Sequence, residues 1–248
     1  MRRLNMTKRR VLKAVGILLS AVVFYLGLLC FPQPFFAYSL VRGNLTLYSD
    51  QPFPGDAGAQ VLALAETKLS ASPMYSPTEQ HAIYICNADW RQRLFFNRVY
   101  GVGGVNFYPL TYNVFLRNAL VEQNRLISPS GKLVAGERTL DYYVAHEVGH
   151  SLTGKAVGPI RYHLLSEWVR EGYADYLGKG RTFNYDDALR AFLANAPEMD
   201  RQKSGLYLRY HLLVAYLLDK KQWSVEKLLE DAVPQTQVEA EVRANARP

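Results

Sequence analysis

Two histidines and a glutamate are spaced as a helix would need them in order to hold and use a metal: His146-Glu147-Val148-Gly149-His150. Four residues apart, the imidazoles project from one helical face one turn from each other and can share a tetrahedral ion. Glu147 stands about 100° round the helix from His146, beside such an ion instead of on it, where a carboxylate can take a proton from an attacking water. It is the candidate general base. A catalytic zinc keeps three protein ligands and one open position, so a third donor has to come from elsewhere in the chain. Glu171, twenty-one positions after His150 in Trp168-Val-Arg-Glu-Gly-Tyr-Ala-Asp-Tyr176, is the best candidate. One Zn²⁺ per chain is the expected cofactor.

The histidines need a helix under them, and the surrounding residues predict one. Thr139 can cap it, Leu140, Tyr143, Val144, Val148 and Leu152 follow the helical period, and Gly154 is placed as a stop. An oxyanion that develops on a carbonyl under attack also needs a donor, work often given to a Tyr or His from another helix. Tyr207, Tyr210 and His211, in the apolar segment 204–221, are the candidates.

The string His146-Glu147-x-x-His150, with Glu171-Gly-x-Ala in a second helix, resembles the gluzincin branch of the zincin metallopeptidases, which includes thermolysin-like and aminopeptidase M1-like enzymes. The resemblance covers roughly residues 139–218. It implies a zincin-like α+β domain, with a small sheet above the active-site helix and a helical C-terminal part, and it implies peptide or protein as substrate. Asp175, one turn after Glu171, matches an aspartate that in several gluzincins holds the first histidine through its free ring nitrogen, here His146. In M1-like enzymes a catalytic tyrosine precedes a second helix tyrosine by nine positions, and Tyr207 with Tyr216 reproduces that interval, which favours Tyr207 over Tyr210 and His211. The Glu-x-x-Ala-Asp string also resembles M48-type membrane proteases, whose third ligand lies much farther along the chain. No Gly-x-Met-Glu-Asn stretch is present, so aminopeptidase activity is not implied. Two other classes of function compete: a catalytically silent zinc-containing module of the same fold that binds a peptide or partner, and a membrane-surface adaptor. Glu147 weighs against the first, because loss of the base is a common route to silence, and the metal set weighs against the second.

Zincin resemblance by itself says nothing of where the domain sits. The formal charge of +7 suggests a nucleic-acid surface, but the first thirteen residues carry six basic side chains and no acid, so the remainder is nearly neutral and no nucleic-acid partner is expected. Residues 14–31 then run without a charge and reach about 27 Å as a helix, close to a bilayer's hydrocarbon thickness. The run is longer than a signal-peptide core and lacks a small-residue cleavage site, so an uncleaved anchor is expected. Basic residues on its N-terminal side place that end in the cytoplasm and the rest outside the membrane.

The expected divisions are a basic start (1–13), the transmembrane anchor (14–31), a Pro-containing linker (32–55), one metallopeptidase domain (56–234) and a loosely attached polar tail (235–248). Within the domain a helix is expected from Asp56 to about residue 69, a strand over 81–86 that buries Cys86, and a short helix over 90–99. Gly101-Val-Gly-Gly104 lacks a trailing Gly-Lys-Ser/Thr and reads as a turn. Residues 104–117 alternate like one or two strands broken at Pro109, and 112–117 is the segment expected to receive an extended substrate as an added strand. Helices are expected over 185–195, 206–220 and 224–232.

Overall fold

Alternation along three strands sets two buried faces for one sheet. Leu45 and Leu47, Ile83 and Ile85, and Val114 and Leu116 turn to one side, while Tyr84, Cys86 and Phe115 turn to the other. The computed structural model describes residues 2–246; the first residue of the basic start and the last two of the tail lie outside the described residues. In order the elements are α1 (Arg2–Cys30), β1 (Tyr38–Arg42), β2 (Leu45–Ser49), α2 (Gly55–Leu69), β3 (His81–Cys86), α3 (Asp89–Phe96), β4 (Gly104–Asn106) and β5 (Val114–Arg117). A two-stranded ribbon, β6 (Ala119–Leu120) with β7 (Arg125–Leu126), leads to α4 (Leu140–Val157), α5 (Pro159–Leu164) and α6 (Glu167–Lys179). The chain ends in α7 (Tyr185–Leu193), α8 (Arg201–Ser204), α9 (Leu208–Ala215), α10 (Val225–Glu230) and α11 (Gln235–Asn245). The architecture is thus mixed α+β, with one apolar N-terminal helix. The sheet order is β1-β2-β3-β5-β4, parallel at its centre and antiparallel at both edges.

The motif helix α4 forms beneath the sheet because Leu140, Val144, Val148 and Leu152 recur every four residues and join the sheet's inner face. Two details differ from the sequence expectation. Thr139 makes no side-chain cap; Asn124 takes its place, its carbonyl accepting from the Leu140 amide (2.8 Å) and its side-chain oxygen from the Asp141 amide (3.0 Å). The helix also runs through Gly154 to Val157. The bare Cα of Gly154 makes room for the Tyr108 ring, whose hydroxyl donates to the Gly154 carbonyl at 2.7 Å. An ion pair of 2.6 Å between Lys68 and Asp141 ties α2 to the start of α4.

A second core, with Trp168, Phe192, Leu212, Leu213, Leu217 and Leu228 among its members, holds the helices after α6 together. It also takes in Val238 and Val242 of α11, so residues 235–245 are a docked helix and not a loose tail. The sequence there is polar overall, but those two valines lie one turn apart and make an apolar face.

The expected linker is likewise corrected. Residues 38–49 form the β1-β2 hairpin, with Leu45 and Leu47 fully buried, and the prolines flank it at 32, 34, 52 and 54. The sheet reaches back to α1 itself. Leu29 is buried beside Phe36, Phe95 and Phe96, the Tyr25 hydroxyl donates to the Leu94 carbonyl (2.9 Å), and the Asn113 amide donates to the Leu29 (2.8 Å) and Cys30 (3.1 Å) carbonyls. Within Lys8–Cys30 of α1 an 18-residue stretch has a mean hydropathy of 2.2, and the helix is long and apolar enough to cross a membrane.

Candidate metal centre

His146 and His150 stand on the middle turns of α4, and Glu171 reaches them from α6. The closeness of α6 to its other neighbour, α9, depends on Gly172, where a Cβ would stand 2.8 Å from the Tyr210 carbonyl. The His146 and His150 Nε2 atoms lie 3.6 and 3.7 Å from one Glu171 carboxylate oxygen, and all three donor atoms fall within 4.8 Å of one another. These gaps are long for hydrogen bonds. They suit an ion between the donors, since tetrahedral ligands about 2.0–2.1 Å from zinc sit roughly 3.3 Å apart. Two imidazoles and a carboxylate are also the donor types zinc takes, so the residues present fit the ion that the sequence implied.

Protonation fits as well. Burial drives His150 down to about 4, leaving a neutral imidazole with its lone pair available. Burial opposes ionisation of Glu171, but the two imidazoles and the Tyr207 hydroxyl outweigh it and hold the carboxyl at about 2. His146 is lowered by burial yet ends above its usual value, because Glu171, Glu147 and Asp175 surround it with negative charge. Glu147 is pushed up to about 7, chiefly by burial, with His146 opposing and Glu171 adding to the rise.

The carboxylate of Glu147 packs against an unexpected neighbour. Gly104, the first residue of β4, lies directly over it, and a Cβ on Gly104 would stand 2.6 Å from a Glu147 carboxylate oxygen. The glycine-containing turn at 101–104 is therefore part of the site's wall. β4 is also the sheet's edge strand, whereas β5 runs between β3 and β4 with all four residues buried. Residues 112–117 thus cannot receive an added strand, and β4 is the edge beside the metal donors. Pro109 separates two strands as expected, but the alternation could not tell which of them is outermost.

Asp175 is fully buried and is not in direct contact with His146. One carboxylate oxygen lies 3.0 Å from the His211 Nδ1 and 3.5 Å from the Lys179 ammonium; the other accepts a short hydrogen bond from the Tyr142 hydroxyl, which is 3.4 Å from the His146 Nδ1. Tyr142, one turn before His146 on the same face of α4, stands between the pair that the resemblance joined. Its i, i+4 spacing was the signal that could have found it.

Tyr207 sits at the N-terminal end of α9, its ring stacked 5.7 Å from that of His146. It lines a cleft of about 580 Å³ with His146, Glu147, Gly104 and Tyr143. Tyr210 borders a neighbouring cavity and His211 is buried against Asp175, so of the three candidate donors Tyr207 alone lines the cleft of the base. Tyr162 of α5, missed from sequence, presents its ring edge-on to His150 at 6.4 Å. Gly158-Pro159, a helix-start signal, could have revealed that short helix.

Compared with known proteins, the chain matches no protein-family model and has no significant match among curated proteins.

Proposed function

We propose that this chain is a membrane-anchored, zinc-dependent peptidase of the gluzincin type, built on a zincin-like domain. The observation that carries this reading is the convergence of His146, His150 and Glu171 on one point, with the Glu147 carboxylate beside it and not among the donors. His146, His150 and Glu171 would hold Zn²⁺, whose chemistry when bound is to polarise a carbonyl and make water acidic enough to attack it.

The chain's own residues supply the rest. Glu147 takes a proton from the attacking water and passes it to the leaving amine, so the base ends the cycle as it began. The Tyr207 hydroxyl donates to the oxygen that gains charge during attack. An extended peptide adds to the open edge of β4, whose Gly104 brings the backbone against Glu147. Asp175 and Tyr142 orient His146, and burial of the donors excludes competing water. The apolar helix α1 crosses the membrane with its basic end in the cytoplasm, which puts the catalytic domain on the outer side, directly against the bilayer because no spacer separates it from α1.

A peptide-library digest with the detergent-purified full chain tests this. The zinc-loaded wild type should cut peptides, and Glu147→Gln should keep its zinc and bind the same peptides without cutting them. If both proteins bind and neither cuts, the chain is a zinc-bearing binding module instead.

A further inference from the structure

The cleft beside His146 and Glu147 holds more positive charge than the proposed peptide hydrolysis requires. Three arginines line it, Arg117, Arg138 and Arg201, against one carboxylate, that of Glu147. Arg201 is paired with Glu167. Among the described residues, Arg117 and Arg138 have no carboxylate within ion-pair distance. Arg117 is 4% exposed, donates to the Gly101 carbonyl at 2.7 Å, and leaves its Nε without an acceptor. Arg138 donates to the Gly205 carbonyl at 3.1 Å and interacts with the Tyr143 side chain, while its Nε and a terminal nitrogen are buried without an acceptor.

Burying a guanidinium without a counter-charge is costly, and orphaned buried donors are rare where the fold alone decides. The position of Arg138 points to what would satisfy them. Its guanidinium lies 5.7 Å from the centre of the Tyr142 ring and 5.5 Å from that of Tyr207, and these two rings stand 5.5 and 5.7 Å from His146. Tyr207 has a second guanidinium over it, that of Arg201, at 4.9 Å. One aromatic ring thus separates each of two cations from the reacting end of the cleft.

We propose that this part of the cleft binds a carboxylate of the substrate, with Arg138 as its principal ligand and Arg117 supporting the field, so that the substrates are acidic peptides. This rests on the peptidase reading and names its substrate class. A guanidinium presents a planar fork that matches a carboxylate with two parallel bonds, and the unmatched nitrogens of Arg138, covered in this structure, are the atoms such a fork uses once the neighbouring Tyr207 or Tyr142 ring shifts. At about 3.3 Å per extended residue, the carboxylate belongs to a residue roughly one to three positions from the bond that is cut. Two sources share this chemistry: an Asp or Glu side chain, and the peptide's own C-terminal carboxylate.

The test uses random octapeptides, synthesised once with free C-terminal acids and once with amides. They are digested by the zinc-loaded full-length wild type and, separately, selected for binding to immobilised Glu147→Gln. A side-chain source predicts enrichment of Asp and Glu over Asn and Gln of at least about tenfold at one fixed position, in both formats. A terminal source predicts the same preference for acids over amides. Either preference should weaken as salt rises and should fall to near unity in Arg138→Gln, with Arg138→Lys between the two, zinc content reporting that each variant is folded. No discrimination by the wild type overturns the proposal, as does discrimination that survives Arg138→Gln in zinc-replete protein. Cutting without acid preference would remove this proposal and leave the peptidase; acid-selective binding without cutting would remove the peptidase and leave the carboxylate site.

Discussion

A carboxylate proposed as base has to stand near the metal donors without joining them, and at Glu147 the room for it is left by a glycine. Gly104→Ala would put a methyl group 2.6 Å from a Glu147 carboxylate oxygen and 2.7 Å from its Cγ, so the Glu147 side chain has to shift from Cγ outward. The expected outcome is a loss of activity of about tenfold or more at unchanged zinc content, with stability changed by less than about 1 kcal/mol. Measuring kcat, zinc and the melting temperature together checks it. Tyr207→Phe should likewise keep its zinc and lower kcat by about ten- to a thousandfold, the range for a lost oxyanion donor. Full activity in that variant would assign the oxyanion to another group, Tyr162 being the tyrosine beside His150. The convergence of His146, His150 and Glu171 was legible in the sequence because a helix converts spacing into geometry. The Asp175 contact was not, since whether a carboxylate meets His146 directly or through Tyr142 depends on how far apart α4 and α6 lie.

Helices and strands were foreseen where periodicity is strong, as in α2, β3 and α4, and missed where short apolar faces hide in polar or proline-containing stretches, as in the β1-β2 hairpin and α11. Edge and centre of the sheet were also beyond reach, because β4 and β5 carry similar alternation and their order is set by long-range pairing. The separation of α6 from α9 offers a test at this scale. Gly172→Ala forces a Cβ against the Tyr210 backbone carbonyl, so the helices must part, at an overpacking cost of about 1–3 kcal/mol. Its neighbour Glu171 moves with the helix. Denaturant unfolding should show the destabilisation, and zinc titration a weaker affinity; unchanged values for both would mean that α6 does not position the third donor.

Across the whole molecule, the notable feature is that α1 is part of the domain it would anchor. Its apolar length was evident from composition, but the hydrogen bonds from Asn113 and Tyr25 that fix its end to the sheet were not, because they connect residues some 70–85 positions apart. Leu29→Ala empties a buried site in the aromatic cluster around Phe95 and Phe115 and should lower the melting temperature of the detergent-solubilised chain, whereas Leu19→Ala, on the exposed part of the helix, should not. Equal melting of the two variants would show that the helix end is not docked. Protease added outside intact cells or spheroplasts should digest the domain and spare the first residues; protection of the domain would reverse the orientation.

The metal centre itself is tested most directly by counting zinc in the purified full-length protein after incubation with excess zinc and removal of the unbound ion. One zinc per chain is expected, falling to near zero in His150→Ala. A folded wild type that retains none would contradict the account at its root.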